Sequence, residues 1–343
     1  MKPLEWKTSA AWFASLALAL AVAVMWLNWP QAPSDAQARR AVLTPTVRGE
    51  EPVQPLPPAP TLPEAKVKLG ERLFFETRLS ADDSLSCASC HDFNRGGADA
   101  LPVSVGVKGA QGSVNAPTVF NVGLNFVQFW DGRAASLEDQ VPGPVHNPVE
   151  MASNWDQVIV KLKADPEYST AFGQVYADGI TAANIIDAIA TYERTLVTPN
   201  ARFDRYLAGQ LDAIDARELA GYLRFKDYGC ASCHQGVLLG ANMYQRFGVM
   251  ADYFAHRQVT ESDLGRYNVT KLEEDRHVFK VPGLRNVAVT GPYFHDGSVA
   301  TLEEAVMLMG RYQLGRDLNP EDIATITAFL KSLTGHWQGR TLE

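Results

Sequence analysis

The chain has 343 residues, of which 46% are hydrophobic, 10% aromatic and 20% charged. That composition is globular and excludes wholesale disorder, collagen and coiled coil, and the length suggests about two domains. A net charge of −8 lacks the basic footprint of a nucleic-acid binder.

Lys2 and Lys7 precede a run from Ser9 to Trp29 that is almost wholly apolar. About 20 such residues span roughly 30 Å of hydrocarbon as a helix. Trp12, Trp26 and Trp29 fit the aromatic belt of an uncleaved anchor. A cleaved signal peptide is the competing reading, with Ala36-Gln37-Ala38 as its cleavage site. Residues 1–30 are therefore expected to send the rest of the chain across the inner membrane, into the periplasm. Residues 31–61 hold Pro33, Pro45, Pro52, Pro55, Pro57, Pro58 and Pro60, and read as an extended linker. The globular part is expected to begin at Leu62.

From there the chain repeats itself. Cys87-Ala88-Ser89-Cys90-His91 returns as Cys230-Ala231-Ser232-Cys233-His234. The Pro117–Val122 stretch returns at Pro282–Val287, Phe129-Trp130-Asp131-Gly132 at Phe294-His295-Asp296-Gly297, and Ser136–Asp139 at Thr301–Glu304. These later matches share one offset of 165 residues, whereas the Cys motifs are 143 apart, so the second half carries 22 extra residues in between. The repeat predicts two related domains, 62–205 and 206–343, with the last helix able to pack back on the first domain.

The periodicity is helical. Ser136 and Thr301 precede acidic residues at capping-box spacing. Thr181 opens a stripe of Ile185, Ile186, Ile189, Tyr192 and Leu196. Asn319-Pro320 begins a helix whose apolar face is Ile323, Ile326, Phe329 and Leu330. The expected fold class is mainly α with long loops.

Two Cys-x-x-Cys-His motifs in matching places of an exported chain point to two covalently bound c-type haems, one per domain. Two thiols add to the haem vinyl groups, and His91 and His234 are the proximal iron ligands. A zinc site is the rival reading, and it needs the four cysteines to converge. For the second haem, Met309 is the candidate sixth ligand and Met307 its competitor. Met opposite His raises the reduction potential and suits electron entry, although Met on a helix is often core filler. Subtracting the offset from Met309 gives Pro144, which cannot ligate. That asymmetry predicts one closed haem for electron transfer and one haem with an open face. Gln140 and Glu150 flank Pro144, and a carboxylate there can move a proton between peroxide oxygens. The alternative for Glu150 is a solvated loop charge.

From about Leu62 onward the chain resembles the bacterial dihaem cytochrome c peroxidases, which are related to the methylamine-utilisation dihaem enzymes. The resemblance rests on Leu69–Phe75, both Cys motifs, Asn115–Thr118, Gln128–Arg133, Asn147–Met151 and Pro292–Gly297. It implies two tandem cytochrome c-like domains and reduction of hydrogen peroxide to water. The electrons would come from a small donor protein, a cytochrome c or a cupredoxin. It implies that Gln140 and Glu150 form the distal pair, that Met309 is the sixth ligand and that Trp130 lies between the haems. It also implies a calcium ion held by the Asn115 side chain and the Thr290 and Pro292 carbonyls, and a homodimer. One departure stands out. Many relatives carry a capping histidine where this chain has Val107 and Lys108. A deprotonated Lys108 could ligate, and His146 could replace the missing cap, although it also reads as an ordinary loop residue. Two other functions fit a dihaem chain. One is an enzyme that oxidises residues of a partner protein, in which tyrosine replaces methionine at the second haem. The other is a plain electron carrier.

Overall fold

Helices carry the architecture of the computed structural model, which describes residues 51–342. The apolar run Ser9–Trp29 and the linker through residue 50 lie outside the described residues. Among the described residues no helix is long and apolar enough to cross a membrane. Where the sequence predicts a loose linker to residue 61, residues 52–56 are docked. Gly236 donates to the Pro52 carbonyl and Arg285 to that of Gln54. Val53 and Leu56 are the cause, since both are apolar and both are buried, Leu56 against Leu238 and Ala241.

In each half two helices cross at a glycine. Glu64–Phe74 packs on Ala182–Glu193, and Ala216–Asp227 packs on Pro320–Lys331. A β-carbon on Gly70 would stand 2.0 Å from the Ala188 carbonyl oxygen, and one on Gly221 would stand 1.9 Å from that of Thr325. Only a residue without a side chain lets the two backbones approach so closely. The crossings align Ala188 with Thr325, Tyr192 with Phe329, and Leu196 with Leu333. The helix starts are those expected: Thr181, Ser136, Thr301 and Asn319 each accept a hydrogen bond from a backbone N–H three residues on. The face of the last long helix differs from expectation. Asp322 and Thr325 are buried and Ile323 is half-buried, because Arg224 and Tyr228 bind the Asp322 carboxylate.

Two departures from the repeat shape the molecule. In the second half, Leu302–Leu314 is one unbroken helix. In the first half the matching stretch is two short turns, Leu137–Gln140 and Pro142–His146, broken where prolines remove backbone donors. The extra residues of the second half include a small antiparallel ladder, Tyr244–Arg246 with Val278–Lys280. Beside it Phe247, Phe254 and Phe279 form a cluster that takes in Trp130, Phe294 and Met309. The Pro320–Lys331 helix packs mainly on Ala216–Asp227, and its Phe329 ring also lies 4.9 Å from Phe203, at the end of the first half. The segment after it crosses over: the Trp337 ring lies 5.4 Å from Phe120 and 5.8 Å from Phe93, and Leu342 joins the Phe74, Phe120 and Tyr192 cluster.

Gly70→Ala and Gly221→Ala are each expected to cost roughly 1–3 kcal/mol of stability, the usual range for overpacking. Thermal melts should show the loss, with Gly112→Ala, whose added carbon meets nothing closer than 3.4 Å, as the control. Equal melting temperatures for all three would mean that the crossings are not as tight as described.

Candidate functional site

Each Cys-x-x-Cys-His motif is a single tight turn, Cys87–Cys90 and Cys230–Ser232, that puts the histidine at its C-terminal edge. His91 Nδ1 lies 3.1 Å from the Gly97 carbonyl oxygen, and His234 Nδ1 lies 3.1 Å from that of Leu239. A carbonyl partner places the proton on Nδ1 and leaves Nε2 with its lone pair available. Burial lowers the pKa of both imidazoles, which favours that neutral form. Gly240 is required at the second site, where a β-carbon would stand 2.3 Å from the Pro282 carbonyl. The four thiols are unpaired. Burial raises Cys87 and Cys90, and pushes Cys230 up to about 11. No cysteine belongs to any group of three close metal-ligating side chains among the described residues, so the convergence a zinc site needs is not found.

The second motif opens on a cavity of about 500 Å³. Cys230, Cys233 and His234 border it, and so does Met309, while Met307 does not. Phe225, Leu302, Ile326 and Leu330 make the lining apolar. An apolar slot with a thiol pair, an imidazole and a thioether is chemically suited to a covalent porphyrin with two axial ligands. Trp130, Asn115, Thr290 and Pro292 border the same cavity. Trp130 Nε1–H donates to the Asn115 carbonyl at 2.9 Å. The Trp130 ring meets His295, its counterpart in the repeat, edge-on at 6.5 Å. Asn115 Nδ2 donates to the Leu101 carbonyl, which leaves its Oδ1 as the oxygen to offer a cation.

In the first half, Pro144 falls in the broken helix and Gln140 ends the preceding turn, half-buried. Glu150 is half-buried, and its Oε1 accepts from Asn147 Nδ2 at 2.7 Å. Burial raises its pKa, opposed by the Asn147 hydrogen bond and the Arg133 charge. Its carboxylate acts on Cys90 electrostatically, which puts Glu150 near the first attachment motif and not out on a solvated loop. The segment without the capping histidine is fastened beside it: Val107 N–H donates to the Glu150 carbonyl at 2.8 Å. Val107 is buried and Lys108 is exposed. His146 is also exposed, its ring against Trp155 at 5.4 Å.

Several buried polar groups had escaped the sequence reading. Arg285 and Asp204 form a buried ion pair at 2.7 Å. Asp263 accepts from His295 Nε2 at 2.8 Å, and Arg257 pairs with the adjacent Asp296. The same guanidinium lies 4.0 Å from Asp263. Glu193 is buried at 7% exposure. Its signal was present, four residues after Ile189 and eight after Ile185 in the apolar stripe.

Residues 64–212 match the family model described as di-haem cytochrome c peroxidase. Cytochrome c551 peroxidase of Nitrosomonas europaea is 46% identical over 286 residues, covering 83% of this chain and 84% of that one. The chain belongs to the di-haem cytochrome c peroxidase family. Cytochrome c peroxidase Ccp of Escherichia coli is 52% identical over 286 residues, covering 83% of this chain. The match spans only 61% of that longer relative. Among solved structures, a MauG-like protein associated with microbial copper homeostasis superposes with a TM-score of 0.71 at 28% identity, covering 82% of this chain and 92% of the other. The family's haems fit the motifs and the cavity described above.

Asn147→Ala removes the hydrogen bond that favours the ionised Glu150. The pH at which Glu150 ionises should therefore rise, read from its carboxyl band in an isotope-edited infrared titration. An unmoved titration would show that Asn147 does not hold the Glu150 charge.

Proposed function

We propose that this chain is an exported dihaem peroxidase that reduces hydrogen peroxide to water with electrons from a small redox protein. The observation that carries the reading is the unequal treatment of one repeated position. Met309 borders the cavity that His234 borders, while its counterpart is Pro144, in a broken helix with Glu150 close by. Bound at these motifs, the haems supply the redox-active iron.

Residues 206–343 would form the domain that receives electrons, its haem held by Cys230, Cys233, His234 and Met309. Residues 62–205 form the domain that meets peroxide, with His91 as its single donor. Glu150 sits in a partly dry site, where burial raises its pKa, and can pass a proton between the two peroxide oxygens. Gln140 orients the bound peroxide from the neighbouring turn. Trp130, anchored through its indole N–H, fills the space between the two motifs. Asn115, Thr290 and Pro292 offer neutral oxygens, a donor set that suits calcium. The run Ser9–Trp29 places the enzyme in the periplasm, anchored to the inner membrane or released by cleavage, and the chain pairs as a homodimer. Oxidation of a partner protein is the less favoured reading, because methionine stands at the position where such enzymes place tyrosine.

The fully oxidised protein is expected to show two covalent haem additions by mass spectrometry and one high-spin ferric signal that binds cyanide before any reduction. Met309→Leu should make the second centre high-spin, and Met307→Leu should leave it low-spin. A second high-spin signal in Met307→Leu alone would reverse the ligand assignment. Two low-spin centres in the untouched protein would mean that a residue caps the first.

Glu150→Gln should keep both spectra and slow the reaction with peroxide by about 10²-fold or more, the scale of a positioned acid–base group. A stopped-flow rate equal to that of the unaltered protein would return Glu150 to a structural role.

A further inference from the structure

The alignment of the helix crossings pairs Glu193 with Leu330. In the second half Leu330 borders the haem cavity, together with Cys230 and His234. In the first half that wall position holds a carboxyl. Glu193 is 7% exposed, and its Oε2 is fully buried with no hydrogen-bond partner. It acts electrostatically on Cys87, the first thiol of the attachment pair. A lone buried carboxyl is expensive unless it is neutral or faces a charge that changes.

The charged groups around it are few. Arg194 follows it in sequence and binds both oxygens of Glu138 from the Leu137–Gln140 turn, at 2.7 and 2.8 Å. Those two side chains are 35% and 37% exposed, so they link the site to solvent. On the helix packed alongside, Lys66 is paired with Asp187 and Arg72 with Glu167. Burial, reinforced by Glu138 and partly offset by Arg194, pushes the Glu193 pKa up to about 8.

We infer that Glu193 is a proton-accepting carboxyl coupled to the His91 haem, so that each electron reaching that haem is matched by one proton taken from water onto Glu193. The electron comes from the donor protein and reduces ferric iron to ferrous. The proton crosses the Arg194–Glu138 gate and converts carboxylate to carboxylic acid, so the net charge of the buried site does not change. The second half has leucine at this place and needs no such compensation, because it only relays electrons. The inference rests on the proposed haem at His91.

Spectroelectrochemistry of the holoprotein tests it. The potential of the His91 haem should be level with pH while Glu193 keeps its proton in the ferric protein, and should fall by up to ~59 mV per tenfold change in proton concentration over the range that begins where Glu193 loses it. In Glu193→Gln the slope over that range should vanish. The His234 haem in the same sample, walled by Leu330, should be unaffected by the substitution. An unchanged slope in a fully loaded Glu193→Gln overturns the inference while leaving the dihaem assignment intact. A chain with no haem at His91 overturns the assignment instead. Should Glu193→Gln fail to take up haem, the reduced-minus-oxidised infrared spectrum of Glu150→Gln decides. A carboxylic-acid band gained on reduction supports the inference, and its absence overturns it.

Discussion

Thr198 has a single side-chain hydroxyl, and two asparagines from different halves both bind it. Asn121 Nδ2 donates to it at 2.9 Å and Asn286 Nδ2 at 3.0 Å. All three residues are buried. The asparagine oxygens are satisfied in the same symmetric way, by the backbone N–H of Thr198 and of Gly335. Each asparagine ends a segment that starts at Pro117, beside His91, or at Pro282, beside His234. One buried hydroxyl therefore fixes both proximal turns to a common point. Leaving any of these groups without its partner would cost about 1–3 kcal/mol, so the halves are registered by polar chemistry as well as by apolar contact.

What was legible in the sequence was local. Ser136, Thr181, Thr301 and Asn319 announce helix starts because capping depends on residues only three apart. The attachment motifs are legible because their chemistry lies within five consecutive residues. Met309 and Met307 could not be separated, since both sit on one helix and only packing decides which side chain meets the cavity. The ladder Tyr244–Arg246 with Val278–Lys280 was missed because three-residue strands carry no readable alternation. Glu193 was passed over because a carboxylate in an apolar stripe looks like an interruption. Its spacing from Ile185 and Ile189 puts it on the buried face, and the crossing at Gly70 shows what that face packs against.

The repeat has been kept where it builds and altered where it reacts. Crossings, caps, asparagines and histidines recur with the same geometry. Among the differences are Pro144 against Met309, Trp130 against His295 and Glu193 against Leu330. In the proposed reading, Pro144 leaves room for a ligand and Glu193 offers a place for a proton. The two haem sites are thus distinguished by a few side chains laid on one shared frame.

Trp337 and Leu342 complete the core around Phe93, Phe120 and Phe74, although they follow the whole second half in the chain. The two halves are consequently not separable modules. A fragment cut near residue 205 would lack part of its own interior, and a cut just before Trp337 would injure the distant half more than the nearby one. Until the end of the chain is in place, the first half keeps an apolar face uncovered.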